Sequence, residues 1–265
     1  MRGVISLGKL FGIRFRLHFT WFIIFALVTI SLVYPEYSRW TYWVVGIITS
    51  LLLFASVVAH EVAHSLVGRA NGIPVESITL FIFGGVAQMT REVTRPNAEL
   101  KMAAAGPLCS LALGGVFGLL WWFIPNASEP IATMIWWLAV MNGALAAFNL
   151  IPGFPLDGGR VFRSLLWRLT GSYHRSTKIA TRVGQGIGYL FMLGGILTIA
   201  LHPFELSWFD GMWIVLIGWF LENAARTSYR QLRQEEIPPP LAGPTAATPP
   251  DYPTVPNGTA NKSQS

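Results

Sequence analysis

Six stretches of the chain, residues 19–34, 40–67, 102–124, 131–151, 183–201 and 209–225, are dominated by apolar side chains and bounded by charge or proline. A bilayer core about 30 Å thick takes roughly 20 apolar residues per helix, so the recurrence of such stretches predicts a helical membrane protein. Composition points the same way. Only 12% of residues are charged, about half of what a water-facing surface needs. With 11 Trp, 17 Phe and 7 Tyr, the chain has enough apolar surface to offset the entropy of ordering, which excludes disorder over its whole length. A single cysteine, Cys109, excludes an intrachain disulfide framework and a cysteine-only zinc site.

The net charge of +6 would suggest nucleic acid in a soluble protein, but here the basic residues flank the apolar stretches, which argues for a lipid bilayer as partner and against nucleic acid. If the N-terminus is cytoplasmic, Arg69, Arg91, Arg95, Lys101, the basic residues of 160–182, and Arg226, Arg230 and Arg233 all face the cytoplasm. The outer loops then hold one basic residue, Arg39. That asymmetry predicts both termini inside. The first stretch follows Arg2, Lys9, Arg14 and Arg16 but ends without a small-residue cleavage site, so it reads as an uncleaved anchor.

Gly106, Ser110, Gly114 and Gly118 in the third stretch, and Ala139, Gly143 and Ala147 in the fourth, recur every four residues and so share a helix face. Small side chains there predict close helix packing. Residues 73–90, IPVESITLFIFGGVAQMT, are rich in β-branched residues and broken by Gly84 and Gly85. They predict extended strands or a hairpin, which must be buried in protein, line a wet cavity or sit at the membrane interface. Eight of the 17 prolines lie in the last 28 residues. The expected architecture is an all-α polytopic membrane protein, a bundle of about six transmembrane helices with a short membrane-associated β-hairpin between the second and third. Residues 1–237 form its single domain, and 238–265 a disordered Pro-rich cytoplasmic tail.

Near the cytoplasmic end of the second stretch stands His60-Glu61-Val62-Ala63-His64. On a helix, positions four apart share a face about 6 Å apart, so both imidazoles can reach one Zn²⁺. Glu61, beside the first histidine, is placed to act on a water as general base. The alternative is that these are core residues gathered by chance. At membrane depth it is costly, because each such group loses on the order of 2 to 3 kcal/mol unless it has partners.

A catalytic zinc has three protein ligands and one open position. Of three Asp and ten Glu, Asp157 stands out, in Asn149-Leu150-Ile151-Pro152-Gly153-Phe154-Pro155-Leu156-Asp157-Gly158-Gly159. Two prolines break the helix there, and the paired glycines permit tight backbone geometry beside a metal. The positive-inside reading brings this turn to the same side of the membrane as the histidines. Asp157 could also serve as N-cap of a helix over 160–169, a role compatible with ligation.

Together these motifs resemble the site-2 proteases, the intramembrane zinc metalloprotease family. That family carries Asn-x-x-Pro-x-x-Pro-Leu-Asp-Gly, matched from Asn149 to Gly158 at every specified position. Phe83-Gly84-Gly85 and the Ala105-Gly106-Pro107 turn into the third span are also similar, and the resemblance covers residues 8–226. It implies a zinc metalloendopeptidase with one Zn²⁺ per chain, His60, His64 and Asp157 as ligands and Glu61 as catalytic base. Asn149 would hold substrate or the oxyanion, or else be a structural amide that mends the broken helix. The implied partners are membrane-embedded protein substrates, cut within or beside their spans, with regulated release of cytoplasmic domains. A prokaryotic inner membrane fits this format, and the oligomeric state is left open. PDZ and paired CBS modules, frequent in relatives, fit neither the tail nor any insertion.

Two other readings compete: a zinc scaffold or metal transporter, and a membrane-anchored metalloprotease with a Glu ligand on a later helix and a cytosolic catalytic domain. The outer halves of the second, third and fourth stretches lack the polar file that transport needs, and no soluble domain accompanies the Asp157 motif. His18, His174 and His202 read as interfacial residues, and Glu222 as snorkelling or paired with a neighbouring Arg. Asn126-Ala127-Ser128 matches a glycosylation acceptor that short patterns produce by chance.

Overall fold

The computed structural model describes residues 3–34, 38–81, 84–89, 93–124, 128–201 and 207–235. The expected tail, Asn126, His202 and Phe83 lie outside them.

Among the described residues, four helices are long and apolar enough to cross a membrane: α2 (Trp40–Ala70), α3 (Pro96–Phe123), α4 (Glu129–Asn149) and α6 (Tyr173–Leu201). At 1.5 Å per residue they run about 46, 42, 32 and 44 Å. Their large apolar side chains point outward, among them Leu51, Leu108, Leu119 and Trp122. Thr49, Ser50, Ser110, Asn142 and Thr181 are buried between helices. This inversion suits a protein whose solvent is hydrocarbon, where small and polar groups hold helices together. Of the six expected spans, α1 (Thr20–Val33) and α7 (Trp208–Glu235) fall short of the four. α1 is 14 residues, about 21 Å. α7 interleaves Asp210, Glu222 and Asn223 with its apolar residues. α3 and α6 begin before the apolar stretches that signalled them, because polar turns such as those holding Glu99 and Lys178 are helical without being apolar.

The fold is mostly helical as expected, but its extended part is larger than one hairpin: a four-stranded sheet, order β1-β2-β3-β4. β3 (Val75–Phe81) and β4 (Gly84–Met89) pair antiparallel within the segment read as extended. The other two strands went unread: β1 (Val4–Leu10) and β2 (Ile13–His18) form an antiparallel hairpin, and β2 joins β3 in parallel. The hairpin turns through Phe11 and Gly12, both with positive φ, as a two-residue turn matched to strand twist requires. In Ile13-Arg14-Phe15-Arg16-Leu17-His18 every second side chain is buried, a period of two that the flanking basic residues obscure. Ile13, Phe15, Leu17, Val75, Ile78 and Leu80 form one cluster, against which Trp21 of α1 and Val58 and Val62 of α2 pack. The sheet therefore covers the end of α2 that carries the two histidines.

Gly106 and Pro107 lie inside α3, where a turn into the span was expected. A bundle tolerates proline in such a helix because neighbours satisfy the carbonyl it frees. The small-residue face also divides its duties. At Gly114 a Cβ would stand 3.2 Å from the Ala139 carbonyl oxygen, so α3 and α4 do approach closely there; Gly118 meets nothing within 4 Å, and Gly106 faces the histidines. After Asn149 the chain turns through residues 150–156 into α5 (Asp157–Thr170). A Cβ on Gly158 would overlap the carbonyls of Leu150 and Ile151, so the turn closes onto the first residues of α5.

Candidate metal centre

His60 and His64 lie on one face of α2, both buried, with ring centroids 4.8 Å apart. The turn after α4 brings Asp157 to them from 97 and 93 residues away in sequence. Its Oδ2 stands 3.2 Å from His60 Nε2 and 3.0 Å from His64 Nε2, and the two Nε2 atoms are 3.1 Å apart. Asp157 is the first residue of α5 and makes no capping hydrogen bond, the N-cap position being Leu156. The capping role is thus set aside, and the carboxylate points at the histidines.

Each imidazole is held from behind by α3. His64 Nδ1 donates to the Met102 carbonyl at 2.6 Å, and His60 Nδ1 lies 2.9 Å from Ser110 Oγ. A ring that donates from Nδ1 presents a lone pair at Nε2. Three electron-rich atoms are therefore aimed at one point. Two ligands at about 2.0–2.1 Å from a tetrahedral ion stand about 3.3 Å apart, close to the separations here, so this donor set fits Zn²⁺. Gly106 leaves the space in front: a Cβ there would overlap His64 Nε2 and lie 2.6 Å from His60 Nε2.

Glu61 faces the same cavity from the side. A Cβ on Gly85 would lie 2.8 Å from the Glu61 carboxyl carbon, and the Gly85 N–H donates to the carboxylate. The cavity is about 600 Å³, and His60, Glu61, His64, Asn149, Asp157 and Arg160 line it. Its remaining walls are largely apolar, including Trp21, Phe54, Leu145 and Phe220. Asn149 lies at this cavity with its Nδ2 bonded to the Leu145 carbonyl one turn back. Arg160 is a partly buried cation whose pKa is lowered by loss of solvation, while nearby Glu99 opposes the shift.

Sequence reading missed Ser110, the Met102 carbonyl, Gly85 and Arg160. Ser110 was visible only as a member of a small-residue face, and Gly106 there and in the turn resembling the family, neither of which says whether helix or imidazole lies opposite. Among the other candidates, His18 bonds Thr20 at the β2–α1 junction, and Glu222 pairs with Arg226 on its own helix and with Tyr189. His18, His174 and Glu222 do not line the cavity.

The profile of peptidase family M50 matches residues 48–127 and 124–194. A candidate zinc metalloprotease of Synechocystis sp. is 43% identical over 97% of this chain and 68% of its own. A zinc metalloprotease of Methanocaldococcus jannaschii is 38% identical over 74% of this chain and 55% of its own. A candidate zinc metalloprotease of Mycobacterium tuberculosis is 36% identical over 89% of this chain and 61% of its own, so the chain spans between about half and two thirds of these relatives. Among solved structures, the site-2 protease from Methanocaldococcus jannaschii superposes with a TM-score of 0.59 at 33% identity, over 85% of this chain and 94% of that one.

Proposed function

The chain belongs to peptidase family M50, and from that membership we propose that it is an intramembrane zinc metalloendopeptidase that hydrolyses peptide bonds within or beside the spans of membrane-protein substrates. The observation that carries the reading is the convergence of His60, His64 and Asp157, with Glu61 beside them, in a cavity walled by apolar helices. In this reading His60, His64 and Asp157 are the ligands of one Zn²⁺ and Glu61 is the catalytic base. Zn²⁺, when bound, supplies a Lewis acid that polarises a carbonyl and lowers the pKa of water toward neutrality. Glu61, steadied by the Gly85 N–H, takes the proton of the attacking water and passes it to the leaving amine. Asn149 is a polar group at the cavity that can hold a substrate carbonyl or the oxyanion. Ser110 and the Met102 carbonyl keep the imidazole lone pairs on the ligand side.

A substrate helix offers no free carbonyl and must unwind. β4 pairs on one side only among the described strands, and its Gly85 touches Glu61, which supports β4 as the edge that receives the unwound peptide. α1 and α7 complete six spans in this reading, with both termini cytoplasmic as the basic flanks favour, and residues 1–237 form the catalytic domain. Its role is regulated intramembrane proteolysis, and its setting a prokaryotic inner membrane.

The test is cleavage of a panel of single-span substrates by the purified chain in detergent, with and without a zinc chelator, and with the fragments mapped. Glu61→Gln is expected to keep stoichiometric zinc and lose roughly 10²-fold or more of the rate; Asp157→Asn is expected to weaken both. Undiminished cutting by Glu61→Gln overturns the assignment of the base, and bound zinc without chelator-sensitive cutting favours a scaffold.

A further inference from the structure

α3 does more than pack against α2. Glu99, Met102, Gly106 and Ser110 follow one another at intervals of three or four residues, so they fall along one helix face, and all four are buried. Three of them touch the metal centre directly: the Met102 carbonyl holds His64, Ser110 holds His60, and Gly106 leaves room in front of both. The fourth, Glu99, is completely buried and reaches the helix that carries Asp157. Its Oε1 accepts from Arg163 of α5 in a tight ion pair and lies 3.9 Å from Arg160 Nε. Arg163 is in turn sandwiched between the rings of Phe154, in the turn before α5, and Tyr173, at the start of α6, at 4.8 and 4.7 Å. Its Nη1 donates to the Tyr173 hydroxyl at 2.9 Å.

We infer that this face of α3 is the template that aligns the metal centre, with Glu99 and Arg163 as positioning residues that set the height and rotation of α5 and thereby the place of Asp157. The inference rests on His60, His64 and Asp157 being the zinc ligands. The physical reason lies in the origin of the third ligand. Two ligands from one helix keep their spacing automatically, whereas Asp157 belongs to a separate element, and rotation of α5 by a single residue would swing its carboxylate through about 100°. A ligand set must be held to within about 0.5 Å. Arg163 lies six residues beyond Asp157 on the same rigid helix, about 9 Å along its axis, so a grip on Arg163 is a grip on Asp157. The link is a buried charge pair with little slack, and its two ends belong to the helix that also orients both histidines and the helix that carries the carboxylate.

The experiment measures zinc affinity of the purified full chain by competition with a chromophoric chelator, and the visible absorption spectrum of the Co²⁺-substituted protein as a reporter of ligand geometry. Glu99→Gln keeps the shape of the side chain and removes its charge. It is expected to weaken zinc binding about 10- to 100-fold and to alter the Co²⁺ spectrum. Glu222→Gln, a buried carboxylate on α7 outside the cavity, serves as control and is expected to lower thermal stability with zinc affinity and spectrum unchanged. Should Glu99→Gln fail to accumulate, Arg163→Lys keeps the charge, loses the forked geometry and carries the same expectation. Folded Glu99→Gln or Arg163→Lys protein with wild-type zinc affinity and spectrum overturns the inference while the ligand assignment stands. A wild-type chain that binds no zinc overturns that assignment, and this inference with it.

Discussion

Glu99 and Glu222 are both carboxylates buried among apolar helices, at 0% and 6% exposure, yet they keep different company. Glu222 pairs with Arg226, one turn further along the same helix, and accepts from Tyr189 on the neighbouring α6. Arg226 is half exposed, so the pair reaches the surface and can be screened there. Glu99 pairs with arginines of a different helix, and its second oxygen has no hydrogen-bond partner among the described residues. The contrast teaches that buried charge is not in itself a sign of function. Around Glu99 groups from α3, α5, the turn after α4 and the start of α6 converge, so each restrains the others; around Glu222 a hairpin of two helices closes on itself.

The same contrast appears in the glycines, and one substitution made in both regions would break it most directly. Gly106→Ala puts a Cβ onto His64 Nε2. It should abolish stoichiometric zinc, read by metal analysis, and with it cleavage, even in protein that stays folded; full zinc occupancy in that variant would dissolve the distinction between the regions. Gly195→Ala puts a Cβ 2.6 Å from the Gly211 carbonyl oxygen in the α6–α7 contact. Overpacking there should cost about 1–3 kcal/mol of stability, seen as a lower thermal midpoint, while zinc per folded molecule stays at wild-type level. Arg226→Ala removes the exposed partner of Glu222 but leaves it the Tyr189 hydroxyl, and should have the smallest effect, a modest fall of the thermal midpoint with zinc affinity and cleavage rate unchanged. A loss of zinc affinity in either α6–α7 variant would show that the two regions are coupled.

The legible parts of the site were those written in short stretches of chain. His60, Glu61 and His64 declared themselves because a helix converts a spacing of four into a shared face, and an apolar flank makes such groups costly without a purpose. Asp157 was legible through the prolines and glycines that break α4 and crowd the start of α5, and the alternative reading of it as an N-cap falls instead on Leu156. β2 was missed because its alternation is short and two of its polar positions are arginines, which looked like the basic flank of a span, and β1 because its side chains are almost all exposed and carry no alternation of burial. Glu99 passed as a polar residue ahead of an apolar stretch, and nothing near it in sequence announces Arg163, 64 residues away.

The amino-acid order therefore dictates the apolar helices, the break after Asn149 and the chemical identity of the donor set, since these follow from periodicity and from the cost of polar groups in hydrocarbon, both local properties. Which faces of α2, α3 and α5 meet, and so whether three donors converge on one point, is settled by packing among helices distant in sequence. There a missing Cβ at Gly106 or a single buried ion pair at Glu99 sets positions that no short stretch of chain encodes.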